Sequence, residues 1–203
     1  MSLKLEGRAG RSLLTAAPWL FFVVLILLWE LVWFTHLWAT LRVALMGFAV
    51  SILVAIPMAI AMMRSELLTR TLFPLLVVIQ STPVVAVAPL IIVLMGSDDP
   101  SRVLITSLLT FFPLVVSTAT GINETPEELV EFSRSLDAPL RRETWQIRIP
   151  YAVPHIFSGL RVAITLAIIG AVVAEFVAAE AGLGYFIQFS TSFFRIPQAF
   201  AGL

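Results

Sequence analysis

Apolar residues in this chain come in long unbroken runs rather than in the short alternation that marks a half-buried strand. A helix that crosses the hydrocarbon core of a bilayer needs about 20 mostly apolar residues. Five runs reach that length or come close to it: Pro18 to Trp38, Ala39 to Met63, Leu72 to Met95, Val103 to Ala119 and Phe157 to Ala179. Backbone polar groups cannot stay unpaired in lipid, so each run predicts a helix. The pattern therefore predicts an all-α integral membrane protein with five transmembrane helices, built as one transmembrane domain over 1–203.

Composition agrees, because charged residues make up only 13% of the 203 residues and hydrophobic ones 59%. A soluble domain carries about 25% charged residues. No basic patch is large enough for nucleic acid. The chain has no cysteine, which removes disulfides and thiolate metal sites. His36 and His155 stand too far apart in sequence to suggest a metal site. The placement of charge sets the orientation. Lys4, Arg8 and Arg11 precede the first run, Arg64 and Arg70 follow the second, and Arg134, Arg141, Arg142 and Arg148 lie between the fourth and fifth. These regions alternate correctly to share one side, which the positive-inside rule makes the cytoplasm. Asp98, Asp99 and a single Arg102 face the other side, and the N-terminus is inside. The first run exceeds a signal-peptide core and is expected to be retained as a span.

Two features of the layout stand out. Pro18 to Met63 is one apolar stretch of 46 residues. As a single helix it would be about 69 Å long. The chain is therefore expected to turn near His36 to Thr40, although nothing there is turn chemistry. At the other end, Gly182 to Leu203 is amphipathic and then stops.

Breakers and charges inside the runs mark candidate chemistry. The third run carries Pro74, Pro83 and Pro89 beside Gln80, Ser81 and Thr82. An interior proline removes a backbone hydrogen bond, and the polar triplet can satisfy the freed carbonyls. Two readings stay open: a kinked helix buried in a bundle, or a broken helix lining a solute path. Pro57 predicts only a kink in the second run. Glu30 and Glu175 lie within apolar runs, where a charge costs roughly 2.5–3.5 kcal/mol on insertion scales. Glu30, beside Trp29 and Trp33, suits the membrane interface. Glu175 is open to a structural or gating hydrogen bond, a place on the solute path, or proximity to the outer interface.

The loop 123–156 is the most informative stretch. Asn123 or Thr125 can cap a helix, Pro126 suits its first turn, and Glu127 and Glu128 favour its positive end. Leu129, Val130, Phe132 and Leu136 predict a buried stripe. Asp137 and Pro139 end this helix, a second short one covers Leu140 to Ile147, and Pro150 and Pro154 are expected to break the chain before the fifth run. Glu131-Phe132-Ser133 is followed after three residues by Asp137, and after nine more by Ile147-Arg148-Ile149-Pro150.

That spacing resembles the permease subunits of binding-protein-dependent ABC importers, whose pattern is Glu-Ala-Ala, three residues, glycine, nine residues, then Ile-x-Leu-Pro. Further pieces are similar to the branch that handles nitrate, sulfonates, taurine and thiamine precursors. They are Thr40-Leu41-Arg42 with Gly47, Pro83 followed by Ala88-Pro89-Leu90 and Gly96, Phe112-Pro113, Gly159-Leu160-Arg161, and Ala174-Glu175 followed by Gly182-Leu183-Gly184-Tyr185. Asp137 replaces the family glycine, and Phe132 and Ser133 replace its alanines. Aspartate is among the few residues that tolerate a left-handed turn, so the turn can survive. The larger Phe132 changes the fit to the ATPase.

The resemblance implies a cytoplasmic coupling helix-turn-helix acting through Glu131, Arg134, Ser135, Leu136, Asp137, Ala138, Ile147 and Pro150. It implies two copies of an ABC ATPase subunit, an extracytoplasmic solute-binding protein, a permease homodimer, and a multi-pass place in the bacterial inner membrane. It implies six membrane helices, with a longer stretch between the first two and one more after Leu203. The chain has no GxxxxGK[ST] motif and only one lysine, Lys4, so ATP hydrolysis belongs to the partner. No catalytic residue, cofactor or metal is expected. The solute path is expected at Gln80, Ser81, Thr82 and Glu175. A thiamine pyrimidine precursor is the favoured solute, with sulfonate, taurine and nitrate next. The alternative from another class is an ion-coupled carrier or channel that uses Glu175 as its titrating group, driven by an ion gradient without an ATPase.

Overall fold

The computed structural model describes the backbone from Glu6 to Leu203 and the side chains from Trp33 onward. Every regular element among the described residues is helical. In chain order these are α1 Glu6–Arg64, α2 Glu66–Ser81, α3 Val84–Met95, α4 Asp99–Asn123, α5 Glu127–Ser135, α6 Leu140–Glu143, α7 Ile149–Val177, α8 Leu183–Ser192 and α9 Ile196–Ala201. A single π turn, Thr144–Arg148, joins α6 to α7.

α1, α4 and α7 pack against one another and form the core. Their contacts use small side chains. Val43 and Ala44 of α1 meet Ala167 and Ala171 of α7, while Ala55 and Ala59 meet Leu114 and Val115 of α4. Lipid tails are as apolar as leucine, so helices in a bilayer gain from close backbone approach rather than from burial alone. Gly47 sets that approach between α1 and α4: a Cβ there would lie 2.5 Å from Thr106 Cγ2. A polar seam crosses the same interface, where Ser51 Oγ donates to the Ser107 carbonyl at 3.0 Å and pairs with the Thr110 hydroxyl. The outward surface is apolar, with Leu53 73%, Val93 81% and Leu94 84% exposed. Such a surface suits lipid or a partner better than water.

Three described helical stretches are long and apolar enough to cross a membrane: Trp33–Arg64, Asp99–Asn123 and Leu140–Val177. A fourth forms if the pair α2–α3, bent by 96° at its break, counts as one span. The fourth and fifth runs correspond to α4 and α7. The first run falls largely on residues whose side chains are not described, as do Trp29 and Glu30.

Three expectations are corrected, and one open reading is decided. No turn occurs at His36 to Thr40, where α1 continues as helix; that stretch contains no glycine or proline to break the ladder. The third run is broken rather than merely kinked, because Pro83 supplies no backbone donor and α3 starts afresh behind it. Neither Asn123 nor Thr125 caps α5: Pro126 holds the cap position, and the Thr125 hydroxyl donates back to the Ile122 carbonyl at 2.9 Å. Pro150 and Pro154 do not break the chain, and Leu140–Val177 is helical throughout. The reason is the π turn, in which the Ile149 N–H bonds to Thr144 one residue further back than in an α-helix. The widened turn gives the Pro150 ring room at the start of α7. It also replaces the end of the expected helix Leu140 to Ile147.

Candidate functional site

The loop after α4 is built around a tight reversal. α5 ends at Ser135, and Asp137 then adopts φ 49°, in the left-handed region. The Ala138 N–H donates to the Ser133 carbonyl at 3.2 Å and the Asp137 N–H to the Arg134 carbonyl at 3.0 Å. These two nested bonds form a Schellman motif, which satisfies carbonyls that a helix end leaves open. The position is one where glycine is usual, and aspartate fills it here.

Beyond the turn, a buried carboxylate ties the two arms together. Glu143 of α6 is 2% exposed. It pairs with Arg148 Nε at 2.8 Å and with Arg134 Nε of α5 at 3.4 Å. Arg134 is thus a clamp between the arms as well as a surface group. A third tie joins the loop to the bundle, where His155 Nε2 of α7 meets Glu124 Oε2 at 3.1 Å.

The inner face of α5 corrects the predicted stripe. Val130 and Ser133 are buried, at 5% and 4% exposure, whereas Leu129, Phe132 and Leu136 point outward. Their spacing places those three on one face of the helix. With the bundle side taken by Val130 and the small Ser133, the large apolar residues are left exposed among the described residues. Glu131, Arg134, Ser135 and Asp137 are exposed beside them, Ala138 and Ile147 are half-buried, and Pro150 is exposed at the start of α7.

Glu175 lies elsewhere, in α7, with no exposed surface. The Thr40 hydroxyl donates to its Oε2 at 3.0 Å, and the Gly184 N–H donates to the same atom at 2.8 Å. The Leu183 N–H donates to Thr40 Oγ1 at 2.8 Å, and the Gly182 N–H to His36 Nδ1 at 3.1 Å. Gly182 makes this possible in two ways. Its φ of 127° favours glycine, and a Cβ there would lie 2.2 Å from Glu175 Cδ. The cluster therefore fastens α1, α7 and the start of α8 through one carboxylate.

At the helix break, the Ser81 and Thr82 hydroxyls both donate to the Val78 carbonyl at 2.9 Å. They satisfy the end of α2 locally, and Gln80 beside them is exposed. No hydrogen bond or ion pair among the described residues joins Gln80, Ser81 or Thr82 to Glu175. The two groups of expected solute-path residues are therefore not joined by a polar contact, although Val84 just after the break packs into the same cluster as Ala174 beside Glu175.

Residues 51–203 match the family of the binding-protein-dependent transport system inner membrane component. The chain belongs to this family. It is similar to the formylaminopyrimidine transport permease protein ThiX of Halalkalibacterium halodurans, 34% identical over 94% of this chain and 87% of that protein. The riboflavin transport system permease protein RibX of Chloroflexus aurantiacus is 37% identical, over 87% of this chain and 64% of that one. The putative aliphatic sulfonates transport permease protein SsuC of Bacillus subtilis is 32% identical, over 84% of this chain and 62% of its own length. This chain is therefore an ABC-type permease of the nitrate, sulfonate, taurine and thiamine-precursor branch, and its role is in transport rather than catalysis.

Several residues of the permease's sites escaped the sequence reading. Glu143 directly follows Arg141 and Arg142 and precedes Arg148 by five residues, and that run of cations around one carboxylate was a usable signal. Thr40 stood out only as part of a stretch similar to the family, and neither it nor His36 could be tied to Glu175 or Gly182, because they lie 135 and 146 residues from those partners.

Proposed function

We propose that this chain is the transmembrane permease subunit of an ABC importer, a single domain over 1–203 in the bacterial inner membrane with its N-terminus in the cytoplasm. Two ATPase subunits and an extracytoplasmic solute-binding protein complete the assembly around a permease homodimer. The loop 123–156 is the coupling element. The observation that carries this reading is its outer face: an exposed apolar row of Leu129, Phe132 and Leu136, held by the Asp137 turn and the Glu143 clamp and left uncovered by the described residues. A row of this kind fits a groove on another protein. ATP-driven closure of the ATPases would move the loop and, through the continuous helix Leu140–Val177, rock the bundle. Gln80 at the helix break is the residue best placed to meet solute, and Glu175 acts as a brace between helices. A thiamine pyrimidine precursor is the favoured solute, in line with the similarity to ThiX, and sulfonate, taurine, nitrate and riboflavin are the competitors to try.

Docking is tested by co-purification. The ATPase that copurifies with the wild-type chain is expected to fall at least ten-fold in yield with Phe132→Asp/Leu136→Asp, while the permease keeps its size-exclusion profile. Unchanged ATPase recovery would remove the loop from the docking role.

A further inference from the structure

A cavity of about 460 Å³ opens at the end of the bundle remote from the loop 123–156, where α4 begins and α7 ends. Its size is that of a small-molecule site. The apolar part of its wall is alanine: Ala39 on α1, and Ala178, Ala179 and Ala181 between α7 and α8. Such short side chains let a flat ring approach the backbone closely. The Glu175 brace fixes the two sides of the wall to each other. Thr40 adjoins Ala39 and Gly182 adjoins Ala181, and the Leu183 N–H donates to Thr40 Oγ1 at 2.8 Å.

The charged part of the lining is unevenly paired. Arg42 and Arg102 are both committed to one carboxylate, Asp99: Arg102 Nη2 lies 2.9 Å from Oδ1, and Arg42 Nη2 pairs with Oδ2. Asp98 and Glu180 also line the cavity, are exposed, and carry no ion pair among the described residues. Two guanidiniums therefore stand with three carboxylates, and the unspent charge is negative. A guanidinium has five N–H donors, so Arg42, half exposed, keeps donors after its pairing, whereas Asp98 and Glu180 only accept. The lining thus offers both donors and acceptors, with a net charge that opposes an anion.

We propose that this cavity is a solute subsite at the outer mouth of the permease, selective for a neutral, nitrogen-rich heteroaromatic that carries N–H donors. The ring lies against the alanines, its amino group donates to Asp98 or Glu180, and a ring nitrogen accepts from Arg42. Sulfonates and nitrate meet two carboxylates that nothing neutralises, and unpaired like charge is an effective way to reject a competitor. The proposal rests on the permease reading and its orientation, and deepens it by naming the class of solute and the residues that select it.

The test uses the permease–ATPase complex in phosphatidylcholine nanodiscs without binding protein, with labelled formylaminopyrimidine as the probe. Wild type is expected to bind the probe, and ethanesulfonate to compete at least ten-fold less well than unlabelled formylaminopyrimidine. Asp98→Asn/Glu180→Gln is expected to weaken probe binding at least five-fold, and Asp98→Glu/Glu180→Asp by less. Ala179→Trp, which fills the cavity and leaves its charges alone, is expected to abolish binding while the complex keeps its size-exclusion profile. Asp98→Lys/Glu180→Lys is expected to let ethanesulfonate compete. No probe binding by wild type, binding unchanged in the Asn/Gln and Trp variants, or ethanesulfonate competing as well as the pyrimidine would each overturn the proposal. Uptake with binding protein, measured in parallel, separates it from the permease reading. ATPase-dependent uptake beside unaffected variants overturns the subsite alone, whereas wild-type uptake that needs no ATPase sinks the reading and the subsite together. Variants that bind the probe as wild type does but lose uptake would assign the cavity to contact with the binding protein and overturn the proposal.

Discussion

At φ 49°, Asp137 holds a backbone conformation that residues with a Cβ avoid, at a cost of roughly 1–2 kcal/mol. Aspartate lowers that cost through its short polar side chain, and glycine removes it. Asp137→Gly is therefore expected to leave the turn unchanged or tighten it by up to about 1 kcal/mol, whereas Asp137→Val loosens it by about 1–2 kcal/mol. Hydrogen exchange at the Ala138 amide, which bonds to Ser133 across the turn, reads this directly. Faster exchange in the glycine variant than in the valine variant would contradict the assignment. This residue was legible in the sequence, because its place in the spacing demanded a left-handed turn and its chemistry allowed one.

Among the elements, α5 and α6 depend on Glu143. Removing one member of a buried ion pair leaves the others uncompensated, at a typical cost of 3–5 kcal/mol. Arg134 reaches solvent and Arg148 is only 15% exposed, so Glu143→Ala is expected to cost about 3 kcal/mol, the lower end of that range. The loss should appear as faster protease cleavage between Ser135 and Arg148, with the helices of the bundle intact. Equal cleavage rates in variant and wild type would mean that the clamp contributes nothing. The elements themselves followed from the sequence wherever length and apolarity decided them, as in α4 and α7. Their facing did not. A row of leucine and phenylalanine reads as buried when only one chain is considered, and α5 points that row outward. Prolines 150 and 154 read as breakers because the π turn that accommodates the first of them has no signature in composition.

In the whole molecule, α1, α4 and α7 form a closely packed bundle, and the loop is rigidly continuous with one of its members. Glu175, Thr40, His36 and the Gly182–Gly184 backbone fasten that bundle at a place remote in sequence from the loop. Movement at the loop is thus delivered to a packed unit rather than lost in a flexible link. The family followed from the loop spacing together with the collinear pieces from Thr40 to Tyr185, whereas the brace did not, since it joins residues that only folding brings together. The most direct test is uptake into proteoliposomes that hold this permease and its ATPase, with the binding protein and labelled formylaminopyrimidine outside and ATP sealed inside. The account predicts uptake that needs both ATP and the ATPase and is lost with Phe132→Asp/Leu136→Asp. Uptake that persists without the ATPase, driven by an ion gradient, would contradict it.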